Sequence, residues 1–145
     1  MLRVVCAIAA LCLSAPGAFA ADTAAQAAKK WGLLGTWKID CAAPASVANS
    51  EFSYVVQDGR LFHDRNFGDH QDSNAITKAT IRRDGTIVLM VQLASIHQVR
   101  EYAFVKAGDG KLRAVSNKDA KTGEHTIKDG KFMDGRATSW QTRCR

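Results

Sequence analysis

Several features are missing from this sequence, and each absence removes a class of function. There is no block of basic residues and no interleaving of aromatic with basic side chains. Twenty Lys and Arg are scattered among fourteen Asp and Glu, for a formal net charge of +6. No nucleic-acid partner is expected from such a pattern, and the charge supports only a mild preference for anionic ligands or surfaces. Neither G-x-S-x-G nor H-E-x-x-H occurs, and Ser95, Ser116, Ser139, His97 and His125 stand in no catalytic motif. A role without catalysis is therefore favoured, enzymatic activity stays open as the lesser alternative, and no cofactor is assigned.

Long apolar runs are also missing. The longest, residues 4 to about 13, falls well short of the roughly 20 residues that a membrane-spanning helix needs. It follows Arg3 and precedes Ala18-Phe19-Ala20, the layout of a secretory signal peptide cleaved after Ala20. The residues around Cys12, Leu-Cys-Leu-Ser, lack the small neighbours that a lipidated cysteine requires. Residues 1–20 thus read as signal peptide, and the mature chain as periplasmic or secreted with no membrane span. Loss of Arg3 lowers the formal charge from +6 to +5. Cys6 and Cys12 leave with the signal, so Cys41 and Cys144 remain, and in an exported protein two cysteines read as one disulfide.

What the mature chain does have is regular punctuation. After an Ala-rich stretch, residues 21–34, expected to be a short helical or mobile extension, and a small-residue loop around Pro44, the sequence breaks into short β-like runs. Asp-Gly recurs at Asp58-Gly59, Asp84-Gly85, Asp109-Gly110, Asp129-Gly130 and Asp134-Gly135, and Thr122-Gly123 adds a further turn signal. Asp-Gly suits two-residue hairpins whose central residues take positive φ. Between the turns, Phe52, Tyr54 and Val56 alternate onto one face, as do Ile87, Leu89, Val91 and Leu93. The run from Val99 is ambiguous, because both of its faces carry apolar residues. No segment sustains i, i+3, i+4 apolar spacing, so no long helix is expected in residues 35–145.

Residues 35–145 therefore read as one all-β domain, an antiparallel up-and-down meander closed into a barrel of about eight strands. The cysteines favour closure. Cys41 is placed at the end of the first strand and Cys144 in the last, and a disulfide needs Cα atoms within about 7 Å, which closure supplies.

Gly35-Thr36-Trp37, after Trp31 to Leu34, resembles the opening of lipocalin-like, or calycin, barrels. The resemblance implies that Trp37 closes one end of the barrel and that an arginine of the last strand packs over its ring, with Arg143 the candidate. On ideal strands Trp37 and Cys41 share one face while Cys144 and Arg143 do not, so both expectations hold only if a bulge or strand end intervenes. The chain also resembles small exported proteobacterial proteins of uncharacterised function that share Leu-Leu-Gly-Thr-Trp-Lys-Ile-Asp-Cys, a middle Arg-x-Phe-Gly-Asp and a late Arg-Cys. A further resemblance, to periplasmic inhibitors of alkaline metalloproteases, implies a protein-interaction role for residues 21–30.

The leading functional expectation is an exported small-ligand-binding or structural barrel. Tyr54, Arg65, Arg100 and Tyr102 are the candidates for a cavity taking a small amphipathic or anionic molecule, in the usual form of an apolar pocket with a few convergent polar groups. A barrel of this size is as readily filled by its own side chains. Residues 63–72 bring together His63, Asp64, Asp69, His70 and Asp72, but their spacing is not that of a ready-made metal site, and no metal is assigned to them.

Overall fold

The computed structural model describes residues 22–144, so the signal-peptide reading of residues 1–20 lies outside it. The extension is helical. α1, Ala24–Trp31, opens on a capping box in which the Thr23 hydroxyl accepts from the Gln26 amide and the Gln26 side chain accepts from the Thr23 amide. Lys29 and Lys30 occupy its last turn, where they complement the helix dipole. Ala27, Ala28 and Trp31 face inward, and the small alanine side chains let the helix lie close against the strands Arg60–Asn66 and Gln71–Ile81.

Ten strands follow: β1 Gly35–Lys38, β2 Glu51–Gln57, β3 Arg60–Asn66, β4 Gln71–Ile81, β5 Ile87–Leu93, β6 Gln98–Lys106, β7 Leu112–Asp119, β8 His125–Lys128, β9 Lys131–Phe132 and β10 Thr142–Arg143. All pairings are antiparallel, in the order β10-β1-β2-β3-β4-β5-β6-β7-β8-β9. The all-β meander is as expected, but two of its details are corrected. Among the described residues the strands number ten, not about eight, and the curled sheet does not close. The last strand does lie beside the first, and the break falls one step earlier, between β9 and β10. Among the described residues a single bridge, Leu112 to Gln141, reaches across it, with amides 3.0 and 2.8 Å from the opposing carbonyls. The expected long last strand shrinks to two residues because Thr138 is drawn aside. Its amide donates to Gly130 O and its hydroxyl to Ala114 O. Bulges shift the register in β4, β6–β7 and β7–β8, and such insertions bend and coil a sheet.

The Asp-Gly pairs all make turns, by two chemistries. At Asp58-Gly59 and Asp129-Gly130 both residues have positive φ, giving the tight hairpins β2–β3 and β8–β9. At the other three only the glycine does. There the Asp carboxylate accepts the amide of the residue two positions on, Thr86, Lys111 or Arg136, and each carboxyl is held below its ordinary pKa chiefly by that bond.

Cys41 and Cys144 form the disulfide, with Cα atoms 5.5 Å apart across 103 positions. The parity conflict disappears because β1 stops at Lys38, so Cys41 lies in a bend beyond the strand and does not end it. Trp37 and Arg143 stand opposite one another in the β1–β10 register, on one face. Trp37 is buried, and its Nε1 donates to Leu33 O at 2.7 Å. The Trp31 indole carries a cation, Lys106. Lys106 Nζ sits 4.4 Å from its ring centre and also donates to Trp31 O.

Candidate functional site

The interior beside the break holds a cavity of about 610 Å³. One wall comes from β2, β3 and the β1–β2 loop, the other from β6, β7, β8 and the segment after β9. The cavity therefore lies where the two margins of the curled sheet face each other. The β1–β2 loop is a built wall. Asn49 pins it, its amide donating to Asp40 O at 3.0 Å and Pro44 O at 3.1 Å while its oxygen accepts from Asp40 N at 2.9 Å. Gly68 packs on the loop so closely that a Cβ there would stand 2.8 Å from Ala45 O, and its φ of +94° also favours glycine. Buried Lys38 anchors the loop from the other side, donating to Ala43 O at 2.6 Å with Glu51 at 3.7 Å.

The floor is aromatic. Strand alternation sends Phe52 and Tyr54 of β2, His63 and Arg65 of β3, and Tyr102 and Phe104 of β6 inward. The His63 ring stacks on Tyr54 with centroids 4.7 Å apart and planes 5° apart. Tyr102 meets His63 edge-on at 5.6 Å, and Phe52 lies tilted at 5.5 Å. His63 is 3% exposed, and neither ring nitrogen has a hydrogen-bond partner. Burial, with the Arg65 charge adding to it, lowers its pKa to about 3, so the ring is neutral at physiological pH. Burial likewise raises both phenols, Tyr54 most strongly. The rim is apolar and open: Ile39, Val47 and Phe132 are all exposed.

Arg65 supplies the floor's charge, and it is matched. Asp72 stands directly opposite in the β3–β4 register and takes both Nε, at 2.7 Å, and Nη2. Asn74 Nδ2 donates to the same carboxylate at 2.7 Å, and the guanidinium lies over the Phe67 ring at 5.6 Å. The Arg65 bond is the main reason that the Asp72 carboxyl is held below its ordinary range.

Three of the four residues proposed from sequence, Tyr54, Arg65 and Tyr102, thus converge on one cavity. Arg100 does not line it. It is buried on the same face of β6, but its guanidinium is held by Asn117 Oδ1 at 2.6 Å, Gln98 Oε1 at 3.2 Å and Thr126 Oγ1 at 3.1 Å. Its effect on the cavity is indirect, since Asn117 is a wall residue. His63, Phe52 and Phe104 are members of the site that the sequence reading does not assign to it. Parity carries the signal, because His63 lies two residues from Arg65 on a strand and must share its face. The remaining acidic residues of 63–72 point elsewhere: Asp64 accepts from Ser73 Oγ at 2.5 Å, and Asp69 is exposed. Among the described residues no group of three or more His, Cys, Asp or Glu gathers as metal ligands do.

A smaller cavity, about 400 Å³, brings Trp37 and Arg143 together with Lys106 and Lys111. Lys106 is held by Trp31 O, and Lys111 lies 3.2 Å from Asp109.

The larger site offers stacking surfaces and neutral hydrogen-bonding groups. Its one imidazole is a weak base with no carboxylate bonded to it, which serves binding better than proton transfer. No protein-family model, no curated protein and no solved structure matches the chain.

Proposed function

We propose that this chain is an exported binding protein whose cavity holds one small molecule with an apolar body and a hydrogen-bonding head. One observation carries the reading: a cavity of about 610 Å³ has an aromatic floor in which a buried imidazole keeps both nitrogens unpaired. A core selected for stability alone fills such space with apolar side chains, because voids and unpaired buried polar atoms both cost free energy. The volume lies within the range of small-molecule sites, about 300–1,000 Å³. Export is part of the proposal. The Cys41–Cys144 disulfide suits an oxidising compartment, and no helix of the described residues is long and apolar enough to cross a membrane. The lipocalin-like resemblance of Gly35-Thr36-Trp37 supports the same use, here in a sheet left open between β9 and β10. The alternative, protease inhibition through residues 21–30, has less support. It asks a segment whose Ala27 and Ala28 belong to the core to leave for a protease cleft.

The test is a fluorescence titration with the uncharged dye N-phenyl-1-naphthylamine. Saturable binding at one site is expected, and it should be lost in Ala48→Trp and Ala114→Trp, which fill the cavity from opposite walls. Absence of saturable binding, or binding that survives both substitutions, would sink the proposal.

A further inference from the structure

The charges around this cavity are arranged in a way that selects among ligands, an inference that rests on the binding function proposed for it. Of the described side chains lining the cavity, only Arg65 and Arg136 carry a permanent charge. Each is matched by its own carboxylate. Arg136 gives Nε to Asp134 Oδ2 at 2.7 Å, but that pair is exposed at the rim, where water screens it. The Arg65–Asp72 pair is different. It lies at the floor, its side chains are 17% and 13% exposed, and its contact is bidentate. Asn74 fastens the carboxylate further, and the His70 imidazole stands 3.8 Å from it.

We propose that Asp72 is the specificity-determining residue of the cavity: by neutralising Arg65 it selects ligands with an uncharged, hydrogen-bond-accepting head, such as a carbonyl, ester or amide, over carboxylates and sulfonates of the same shape. The bidentate contact uses Nε and one Nη2 hydrogen, the Tyr102 phenol takes a further guanidinium hydrogen bond, and the N–H groups that remain are left for an uncharged acceptor. A ligand anion would bring a second negative charge to a guanidinium already neutralised. The floor would then hold a net negative charge away from water, and an uncompensated buried charge is costly. The other floor groups, His63, Tyr54 and Tyr102, are neutral donors and acceptors and add nothing to balance it, and the next cation, Arg100, stands behind the wall with its guanidinium on Asn117, Gln98 and Thr126. The chain's positive net charge would favour anions at its surface, so the proposed preference runs against the protein's global charge and must come from the site.

Two dyes test this. N-phenyl-1-naphthylamine and 8-anilinonaphthalene-1-sulfonate share one skeleton and differ by the sulfonate. The wild-type protein should bind the uncharged dye at least about tenfold more tightly at about 0.15 M salt, the scale of one mispaired charge in a partly wetted site. In Asp72→Asn the guanidinium is freed, and the ratio should move toward the sulfonate by about tenfold or more. The double variant Arg65→Gln/Asp72→Asn, which removes both charges, should not show that gain. Equal or tighter sulfonate binding by the wild type, in a form blocked by Ala48→Trp, would overturn the inference and leave cavity binding standing. Binding of neither dye would overturn the cavity reading and this inference with it. If Asp72→Asn does not fold, a salt titration of the wild type decides. Affinity for the uncharged dye should stay constant from about 0.05 to 0.5 M salt, whereas cavity binding of the sulfonate that is both tighter and salt-weakened would overturn the proposal.

Discussion

Beneath α1 the interior of the curled sheet is filled. Leu61, Ile76, Ala79, Ile87, Leu89 and Val91 meet Ala27, Ala28, Trp31 and Leu33 in one buried cluster, and Trp31 Nε1 fastens the helix to Gly85 O at 2.7 Å. Beside the break between β9 and β10 it is not filled. There the walls are aromatic and polar, a histidine is buried without a partner, and about 610 Å³ stays open. Strand β3 contributes to both regions, Leu61 to the filled one and His63 and Arg65 to the open one, so strand chemistry alone does not separate them. What differs is the closing element. A helix with a small-residue face can lie directly on the sheet and seal it. Two sheet margins joined by one bridge cannot, and the space between them is available for a ligand.

The strongest way to break this comparison is to release β10, one margin of the break, from its anchor beside β1. Cys41→Ser/Cys144→Ser removes a link that closes 103 positions of chain. Chain entropy puts its worth at roughly 4–5 kcal/mol, which corresponds to a fall in melting temperature of more than about 10 °C. Hydrogen exchange should report the loss unevenly, with amides of β1 and β10 exposed first and those of β5 last. An unchanged melting temperature relative to the oxidised wild type would show that β1 and β10 hold together without the disulfide.

The comparison sharpens when similar truncations are made in the two regions. Leu89 is 0% exposed at the centre of the filled cluster, and Leu89→Ala should cost about 2–5 kcal/mol in urea unfolding. Phe132, a larger side chain, is 41% exposed at the cavity rim, and Phe132→Ala should cost less than about 1 kcal/mol while weakening dye binding. Comparable costs would mean that the rim is packed core and that the cavity is not a place apart.

Much of this is legible in residue order. The Asp-Gly pairs mark the turns, the run Glu51–Gln57 is β2 over its whole length, and the cysteine pair puts the last strand beside the first. Tyr54, Arg65 and Tyr102 stand out because alternation and side-chain chemistry agree. The break is not legible. Thr138 to Cys144 has a strand's composition throughout, and its short pairing is decided by Thr138 hydrogen bonds to Ala114 O and Gly130 O, carbonyls 24 and 8 positions away. Arg100 has the right parity, but its guanidinium is captured by three polar neighbours, two of which, Asn117 and Thr126, stand on β7 and β8 where the register shifts. The Arg65–Asp72 match depends on the span of the β3–β4 loop, because shifting that register by one residue would put Asp72 on the other face.

The effect that is smallest at neutral pH, and grows only in acid, concerns the residue that most distinguishes the cavity floor. His63 binds a proton in the unfolded chain near pH 6.5 but in the folded one only near pH 3. As pH falls through that window the unfolded state binds the extra proton, so its contribution to stability is complete above pH 6.5 and is lost progressively below it. The slope approaches about 1.4 kcal/mol per pH unit, or about 2 kcal/mol between pH 6.5 and 4.5 once the onset is allowed for. Asp72 and the turn aspartates, whose carboxyls are held low, contribute their own loss only at lower pH, so the upper part of the window isolates the imidazole. Denaturant unfolding at half-unit pH steps should show the slope in the wild type and a slope smaller by that amount in His63→Phe, which keeps the ring stack on Tyr54 and removes the titrating nitrogens. A bound ligand that reaches the ring should steepen the acid loss further, because its affinity belongs to the folded, neutral-imidazole form. Binding of N-phenyl-1-naphthylamine that leaves the wild-type slope untouched would place the dye above the floor, against the rim formed by Ile39, Val47 and Phe132.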